Sequence, residues 1–501
     1  MLLACVSCGE TVQTFPGLVA VSGAAPWLAP FCAGPSNGGS FSPDAEVEPA
    51  VAVDPRDPKH FIGIWQQDRW SNGGSNGLVT AATFDGGHTW ALATAKFTHC
   101  TGGPFDRASD PWVSIGPDGA AWQIGFGFDS TAPNRAMLVS RSDDGGKTWS
   151  EPSTLQMDTA PDVVMDKETL TADPLDGNYV YAVWDRLTGA DIANNPQGTG
   201  PAWFARTTNR GSSWEPAQVI YDPGADAQTI GNLILVLPDG TLVDVMMVLT
   251  QNSDPQKTQV SVAVVRSTDR GATAPWPGGA ITVNSAEFVG VVDLKSGRGI
   301  RTGNVVPAAA VDPASGAIYI AWEDARFSSH TRDGIALSRS VDGGLSWSTP
   351  VQVNSVAPRS QAFTPALAVG AGGALGVSYY DLRNDDPRDP SRLLATQWLA
   401  VSTDGGASFS ESAIGAPFNI RAAPLVDGPA YVLGDYQGLA HAGAVFLPFF
   451  AAVPAGGNAN IYFRPADAAT AEAGPLRLAV EGAQQLWRGA RERWRFGTLF
   501  K

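Results

Sequence analysis

SDDGGKTW at 142–149 and SVDGGLSW at 340–347 are two copies of one eight-residue pattern, Ser/Thr-x-Asp-x-Gly-x-Thr/Ser-Trp. Four further copies read TFDGGHTW at 83–90, TTNRGSSW at 207–214, STDRGATAPW at 267–276 and STDGGASF at 402–409. The third has Asn209 in place of Asp, the fourth carries two extra residues before Trp276, and the sixth ends in Phe409. The Asp or Asn positions are 85, 144, 209, 269, 342 and 404, so the intervals are 59, 65, 60, 73 and 62 residues. Such intervals suit one four-stranded sheet per repeat. Inside the pattern the carboxylate accepts backbone N–H groups, glycine supplies positive φ, and the aromatic residue packs back on the sheet. The repeated Asp is therefore a turn former and a poor catalytic candidate.

A second repeat lies upstream of each turn. PAVAVDPRDPKHFIGIWQQDR at 49–69, PAAAVDPASGAIYIAWEDAR at 307–326 and PALAVGAGGALGVSYYDLR at 365–383 each read as strand, tight turn, strand. The turns GPDG (116–119), DPLDG (173–177) and LPDG (237–240) mark the same place in the other units. Each unit thus reads strand A, short turn, strand B, longer loop, strand C, Asp turn, strand D. After the sixth Asp turn, DYQGLA (435–440), GAVFLPFFAA (443–452) and NIYFRP (460–465) make a partial unit of three strands. GLVAVS at 17–22 is a candidate for its missing outer strand. The expected fold is all-β, a β-propeller of seven blades with six as the runner-up. Residues 44–466 form the propeller, 1–43 an N-terminal segment, and 467–501 a tail with a short helix over 475–496.

Composition agrees with this reading. The chain of 501 residues is 44% hydrophobic, with 56 Gly, 37 Pro and only 16% charged residues, which favours many turns and few charged helical faces. The net charge of −16 disfavours nucleic acid as a partner. No run is long enough to span a membrane as a helix. Leu-Leu-Ala-Cys5 matches a lipoprotein box or is a chance match, and membrane attachment is expected only if Cys5 is lipidated. Cys32 and Cys100 are either a disulfide of an exported protein or two free buried thiols. An extracellular, periplasmic or cell-surface location and a monomeric state are expected. No cofactor is expected: carboxylates at the channel mouth are Ca²⁺-compatible, but no EF-hand-type spacing occurs, and no metal ligand is assigned.

Strand order also selects a face. In an A-B-C-D blade the A–B turns and Asp turns share one face, and the longer B–C and D-to-A connections share the other, where a site belongs. That second face carries Asp68 and Arg69, Asp185 and Arg186, Asp324 and Arg326, Asp381 and Arg383, Arg107 and Asp110, Lys167 and Glu168, Arg298 and Arg301, Tyr380, and Asp435 with Tyr436. The Asp-Arg pair recurs in four units, and a recurring feature reads first as architecture. Alignment of the inner strands places Glu48, Asp110, Lys167, Gly231, Val306 and Thr364 at one position, at the mouth of the central channel. Their chemistry differs from blade to blade, which a purely structural position would not require.

The six turns are Asp-boxes, also called BNR repeats, and through them residues 44–465 resemble the sialidase-like superfamily. The resemblance implies a propeller glycosidase that binds a sugar carboxylate with three arginines and uses a tyrosine nucleophile, a glutamate partner and an aspartate acid/base. It makes Arg107, Arg301 and Arg383 the arginine candidates, with Arg326 next. Tyr380 is the candidate nucleophile with Tyr436 second, Glu168 its partner and Asp110 the acid/base; Lys167 joins the substrate-binding set. The family's Arg-Ile-Pro tripeptide is missing: the corresponding strand begins Glu48-Pro49-Ala50. The expectation is a sialidase-type hydrolase acting on an acidic glycan. A non-catalytic propeller that binds glycan or protein, and another glycosidase or a lyase on the same scaffold, stand beside it.

Overall fold

The computed structural model describes residues 17–27, 32, 34–189, 198–250, 258–355 and 360–467. The chain is all-β, built from successive antiparallel sheets. The first unit comprises Phe41–Asp54, Asp57–Trp70, Ser75–Thr83 and Ala91–Ala93. The second comprises Arg107–Ile115, Ala121–Phe128, Arg135–Ser142 and Ser153–Asp158, joined to the first through a pairing of Ser75 with Ala108. The third, fourth, fifth and sixth units begin with Val163–Ala172, Ala227–Val236, Ala308–Val311 and Ala362–Val369, and each runs in strand order through four strands. The last unit pairs Gly438–Ala442, Val445–Ala452 and Asn460–Phe463, and its fourth strand is Val19–Ala20, with Val19 opposite Phe463 and Ala20 opposite Tyr462. First strands of successive units are neighbours, and Gly438–Ala442 neighbours both Ala362–Val369 and Phe41–Asp54, so the cycle closes.

The Asp turns form as their chemistry requires. Asp342 Oδ1 accepts the amides of Leu345 (3.1 Å) and Ser346 (2.9 Å), while the Ser340 hydroxyl accepts the Gly344 amide at 2.8 Å. Asn209 keeps the acceptor, taking the Ser213 amide at 3.0 Å, and its amide group donates to the Ser213 hydroxyl at 2.7 Å. Arginines one residue before the motif stitch neighbouring units together: Arg141 donates to Arg210 O at 2.8 Å and Arg206 to Arg270 O at 2.6 Å. Between the sheets, Trp65, Trp184, Trp322 and Tyr379 are fully buried on the second strands.

Each inner strand but that of the fifth and last units carries a bulge. The register shifts between Val47 and Ala50, Ser109 and Trp112, Asp166 and Thr169, Ile230 and Leu233, and Phe363 and Ala366. At each bulge one residue is left-handed: Glu48 (φ 55°), Asp110 (52°), Lys167 (48°), Gly231 (70°) and Thr364 (51°). A bulge re-aims its side chain, and left-handed non-glycine residues persist only where their surroundings hold them. These are five of the six positions aligned from the sequence; the sixth, Val306, precedes its strand.

Cys32 and Cys100 are joined by a disulfide, with Cα atoms 4.7 Å apart. Among the described residues no helix is long and apolar enough to cross a membrane. The expected helix over 475–496, and Cys5, lie outside the described residues.

Candidate functional site

Three of the bulged positions, Glu48, Asp110 and Lys167, meet at the mouth of the channel around one ammonium group. Lys167 Nζ lies 2.6 Å from Asp110 Oδ1, 2.9 Å from Asp435 Oδ2, 3.5 Å from Asp166 Oδ1 and 3.9 Å from Glu48 Oε1. Arg301 holds Asp435 from the other side, its Nε donating to Oδ1 at 2.7 Å. Glu48 accepts the Asp435 amide at 3.3 Å and the Gln66 side-chain amide. Arg69 belongs to the same electrostatic group, influenced by Glu48, Arg301, Asp110 and Asp435.

Arg301 and Asp435 arrive by an added element. Residues Val291–Val292, Gly299–Arg301, Ala430–Val432 and Leu425–Val426 form a small separate sheet, in which Arg301 pairs in parallel with Val432. Two glycines let this element approach. A Cβ on Gly303 would lie 2.0 Å from Asp435 O, and one on Gly434 (φ 137°) would lie 2.7 Å from the Glu48 amide nitrogen.

The cluster splits its carboxyl groups by environment. Burial pushes Glu48 up to about 8, against the pull of Lys167. Burial likewise raises Asp166 to about 6. For Asp435 the same burial is outweighed by Arg301 and Lys167, which hold its carboxyl well below the usual range. Asp110 is also held low, burial being overcome by Lys167. The side chains of Asp110, Lys167, Glu48 and Asp435 are at most 5% exposed, whereas Asp166 (19%) and Arg301 (14%) reach solvent. Asp166 also borders a small depression shared with Asp185, Leu187, Gln228 and Thr229.

Second-strand carboxylates secure two bulges from the neighbouring unit. Asp185 accepts the Gly231 amide at 2.9 Å and the Thr229 hydroxyl at 2.9 Å. Glu323 accepts the Thr364 amide at 2.8 Å and the Thr302 hydroxyl at 3.0 Å. Among the described residues no group of three or more His, Cys, Asp or Glu side chains is arranged to hold a metal ion.

The structure brings together Asp110, Lys167, Arg301, Glu168 and Tyr436 of the residues singled out from the sequence. Tyr436 donates to Pro111 O at 2.9 Å and lies edge-on to Trp112 at 5.6 Å. Burial, then the charges of Glu48, Asp110, Glu168 and Asp435, raise its phenol well above the usual value.

Tyr380 is not at the mouth. Its hydroxyl donates to Ala451 O at 2.8 Å and accepts the Ala451 amide at 3.1 Å, and its ring stacks on Phe363 in the apolar core. Burial raises its phenol far above the usual value, which is wrong for a nucleophile.

The other three arginines do not converge with Arg301. Arg107 is 1% exposed, donates to Pro35 O, Ser36 O, Asn72 and Gly73 O, and lies 4.4 Å over the Trp70 ring, so it anchors the N-terminal segment. Arg326 is held by Asp324 and Asn284, each at 2.8 Å, beside Trp322. Arg383 is held by Glu411 at 2.9 Å and Asp381 at 3.1 Å, over Trp398. Arg186 repeats this arrangement with Asp158 (2.7 Å) and Trp203. The recurring Asp-Arg feature is thus architectural in these units. Asp166 escaped the sequence reading although it adjoins the aligned position, and Asp435 was noted only as opening the last unit.

No family model matches the chain, and no curated protein matches it. Among solved structures it is similar over 91% of its length, and 99% of the other chain, to a protein of unknown function from Dyadobacter fermentans DSM 18053, with 13% identity and a TM-score of 0.45. Hadza microbial sialidase Hz136 aligns with 82% of this chain and 74% of its own, at 15% identity and a TM-score of 0.46. The α-L-arabinofuranosidase arb93a from Fusarium graminearum aligns with 78% and 98%, at 13% identity and a TM-score of 0.48.

Proposed function

We propose that this protein is a glycan-active enzyme, a glycoside hydrolase by type, on a seven-bladed propeller whose active face is the one bearing Lys167. The closed cycle of first strands supports the blade count. The observation that carries the chemistry is the convergence of Asp110, Asp166, Asp435 and Glu48 on Lys167, with their protonation driven in opposite directions. Glycoside hydrolysis asks for one carboxyl group that is protonated and one that is ionised at the same pH. Asp166, raised to about 6 and reaching solvent, suits the acid/base. Asp435, held ionised by Arg301 and Lys167, suits the stabilising carboxylate. Lys167 keeps these groups in one place at neutral pH.

Sialidase-type action on an acidic glycan is the narrower form of this reading. Arg301, itself paired with Asp435, is its carboxylate-binding candidate at the mouth, and the commitments of Arg107, Arg326 and Arg383 to protein partners weigh against it. The Cys32–Cys100 disulfide supports an exported, oxidising location. A monomer fits a ring whose last sheet is completed by its own N-terminal strand.

A second reading is favoured by one observation: Glu48, Asp110 and Lys167 are almost sealed from solvent and satisfy one another. That suits a non-catalytic glycan-binding propeller in which the cluster plugs the channel. Both readings meet one experiment. The protein is assayed on fluorogenic α-sialosides, α-arabinofuranosides and β-glucuronides, and on uronate polymers for the unsaturated product of a lyase. Under the hydrolase reading one glycoside is cleaved, and Asp166→Asn lowers kcat by roughly 10²–10⁴-fold with the melting temperature kept. Cleavage of no substrate, with glycan binding that survives in Asp166→Asn, would establish the binding propeller instead.

A further inference from the structure

Behind the Lys167 cluster the inner strands leave a channel that runs toward the A–B turns, on the face opposite the mouth. Apart from Lys167 and Glu168 at its inner end, no charged side chain lines it. Its wall includes Val51, Leu233, Ala309 and Leu439, all half-buried rather than sealed. Nearer the A–B turns Val53, Val311 and Ala442 are half-buried as well, so the apolar surface stays open to that face. A contiguous apolar surface of this kind marks a contact site.

The A–B turns that rim this end carry acids without a base. Asp57 accepts the Lys59 amide at 3.0 Å, Asp239 the Thr241 amide at 2.9 Å and Asp312 the Ser315 hydroxyl at 2.6 Å, each within its own turn. Among the described residues none of the three forms an ion pair with Lys or Arg.

The described chain leaves the propeller at the same end. Asp467 lies opposite Val445 and Ala466 opposite Phe446, just beyond the A–B turn at 442–445 of the last unit. Two strand spacings of about 4.8 Å separate this edge from the inner strand Gly438–Ala442, and residues 468–474, at about 3.3 Å each when extended, exceed that distance. Residues 475–496 then bring five arginines against two glutamates, in a chain of net charge −16, together with Leu486, Trp487, Trp494 and Phe496. Their charge complements the rim, and their apolar side chains complement the wall.

We propose that the C-terminal segment 475–496 docks in the Asp-turn end of its own chain's channel, its arginines meeting Asp57, Asp239 and Asp312 and its aromatic side chains covering the apolar inner strands. This end is opposite the face bearing Lys167, so the proposal does not depend on the reading of that face.

The test is the rate at which a maleimide labels a cysteine placed by Ala309→Cys in the full chain, read at that peptide by mass spectrometry. With the segment unaltered, labelling should be at least about tenfold slower than with Trp487→Glu and Trp494→Glu added, as for a site open less than about a tenth of the time. A peptide of residues 475–496, supplied in trans, should restore the slow rate. Asp239→Lys with Asp312→Lys should also speed labelling, because the rim then repels the arginines. Equal rates with and without the tail substitutions would overturn the proposal, and so would fast labelling that the peptide does not slow, since misfolding would then account for it. A rate that depends on protein concentration would place the tail of a second copy in the channel instead. Labelling accelerated by phosphatidylserine vesicles that capture the segment would assign it to a membrane surface and equally overturn the proposal.

Discussion

The Asp turns and the channel mouth both concentrate aspartates, yet they satisfy them in opposite ways. At the turns every partner lies within four residues: Asp85 takes the amides of His88 (2.9 Å) and Thr89 (3.0 Å) and the hydroxyls of Thr83 and Thr89. These groups are near solvent, and hydrogen bonds to the carboxylate hold them low, Asp342 at about 2. At the mouth, Asp435 depends on Arg301, 134 residues away, and Lys167 on Asp110, 57 residues away. Burial dominates there, and only those acids with a close cation stay ionised. A local turn can repeat without change; a long-range cluster can differ at every position. That difference separates architecture from chemistry in this molecule.

The strongest way to break the comparison is Lys167→Met. It leaves several buried carboxyl groups without their shared cation, so a stability loss of about 3–5 kcal/mol is expected in urea denaturation. A loss near that of a surface change would mean that the acids are already neutral and that Lys167 does not organise them.

Next in size is the effect of pH. Glu48 at about 8 and Asp166 at about 6 are raised in the folded chain, and both therefore hold their protons to higher pH than in the unfolded chain. Their contribution is full below the ordinary carboxyl range and is lost as pH rises through these values. The melting temperature should fall between about pH 5 and pH 8, at a rate bounded by roughly 1.4 kcal/mol per pH unit for each group. Glu48→Gln should flatten that fall. The turn acids act in the other window: they are lowered, so their contribution is present above about pH 4 and is lost as pH falls toward 2. A melting curve that is flat from pH 5 to 8 would contradict the burial-dominated account of the mouth.

Smaller still is Asp342→Ala, which should cost about 1 kcal/mol, since its hydrogen bonds are exposed to competing water. Any glycosidase activity should be unchanged by it, and a loss of activity would show that the two regions are coupled. The smallest effect is expected from Asn209→Asp. Asn209 already accepts the Ser213 amide, so a change within about 0.5 kcal/mol should be seen in thermal melts.

Much of the architecture was legible because it is local. The repeated turn, the A–B turns and the alignment of Glu48, Asp110, Lys167, Gly231 and Thr364 all follow from spacing, and the structure gives these five the same left-handed bulge. The site was legible only in part. Asp110 and Lys167 stood out because they broke the repeat. Tyr380 also lay at the end of a B strand, but strand position does not reveal that its hydroxyl is bound to Ala451 in the next unit. Arg107, Arg326 and Arg383 lay on the correct face, yet their partners are loop carbonyls, side-chain amides and carboxylates that spacing does not predict. The one available signal for the added sheet was the 73-residue interval before the fifth turn, the longest of the set, since the insertion around 286–306 carries Arg301.

The sequence by itself determined the Asp turns, the strand alternation between them and the face that carries the longer loops. Their partners lie within a few residues, so hydrogen bonding and side-chain alternation are set before any tertiary contact forms. Tertiary structure alone decided which carboxyl groups share Lys167 and which arginine reaches them. Those outcomes depend on burial and on charges tens to hundreds of residues apart, and both come into being only when the ring closes.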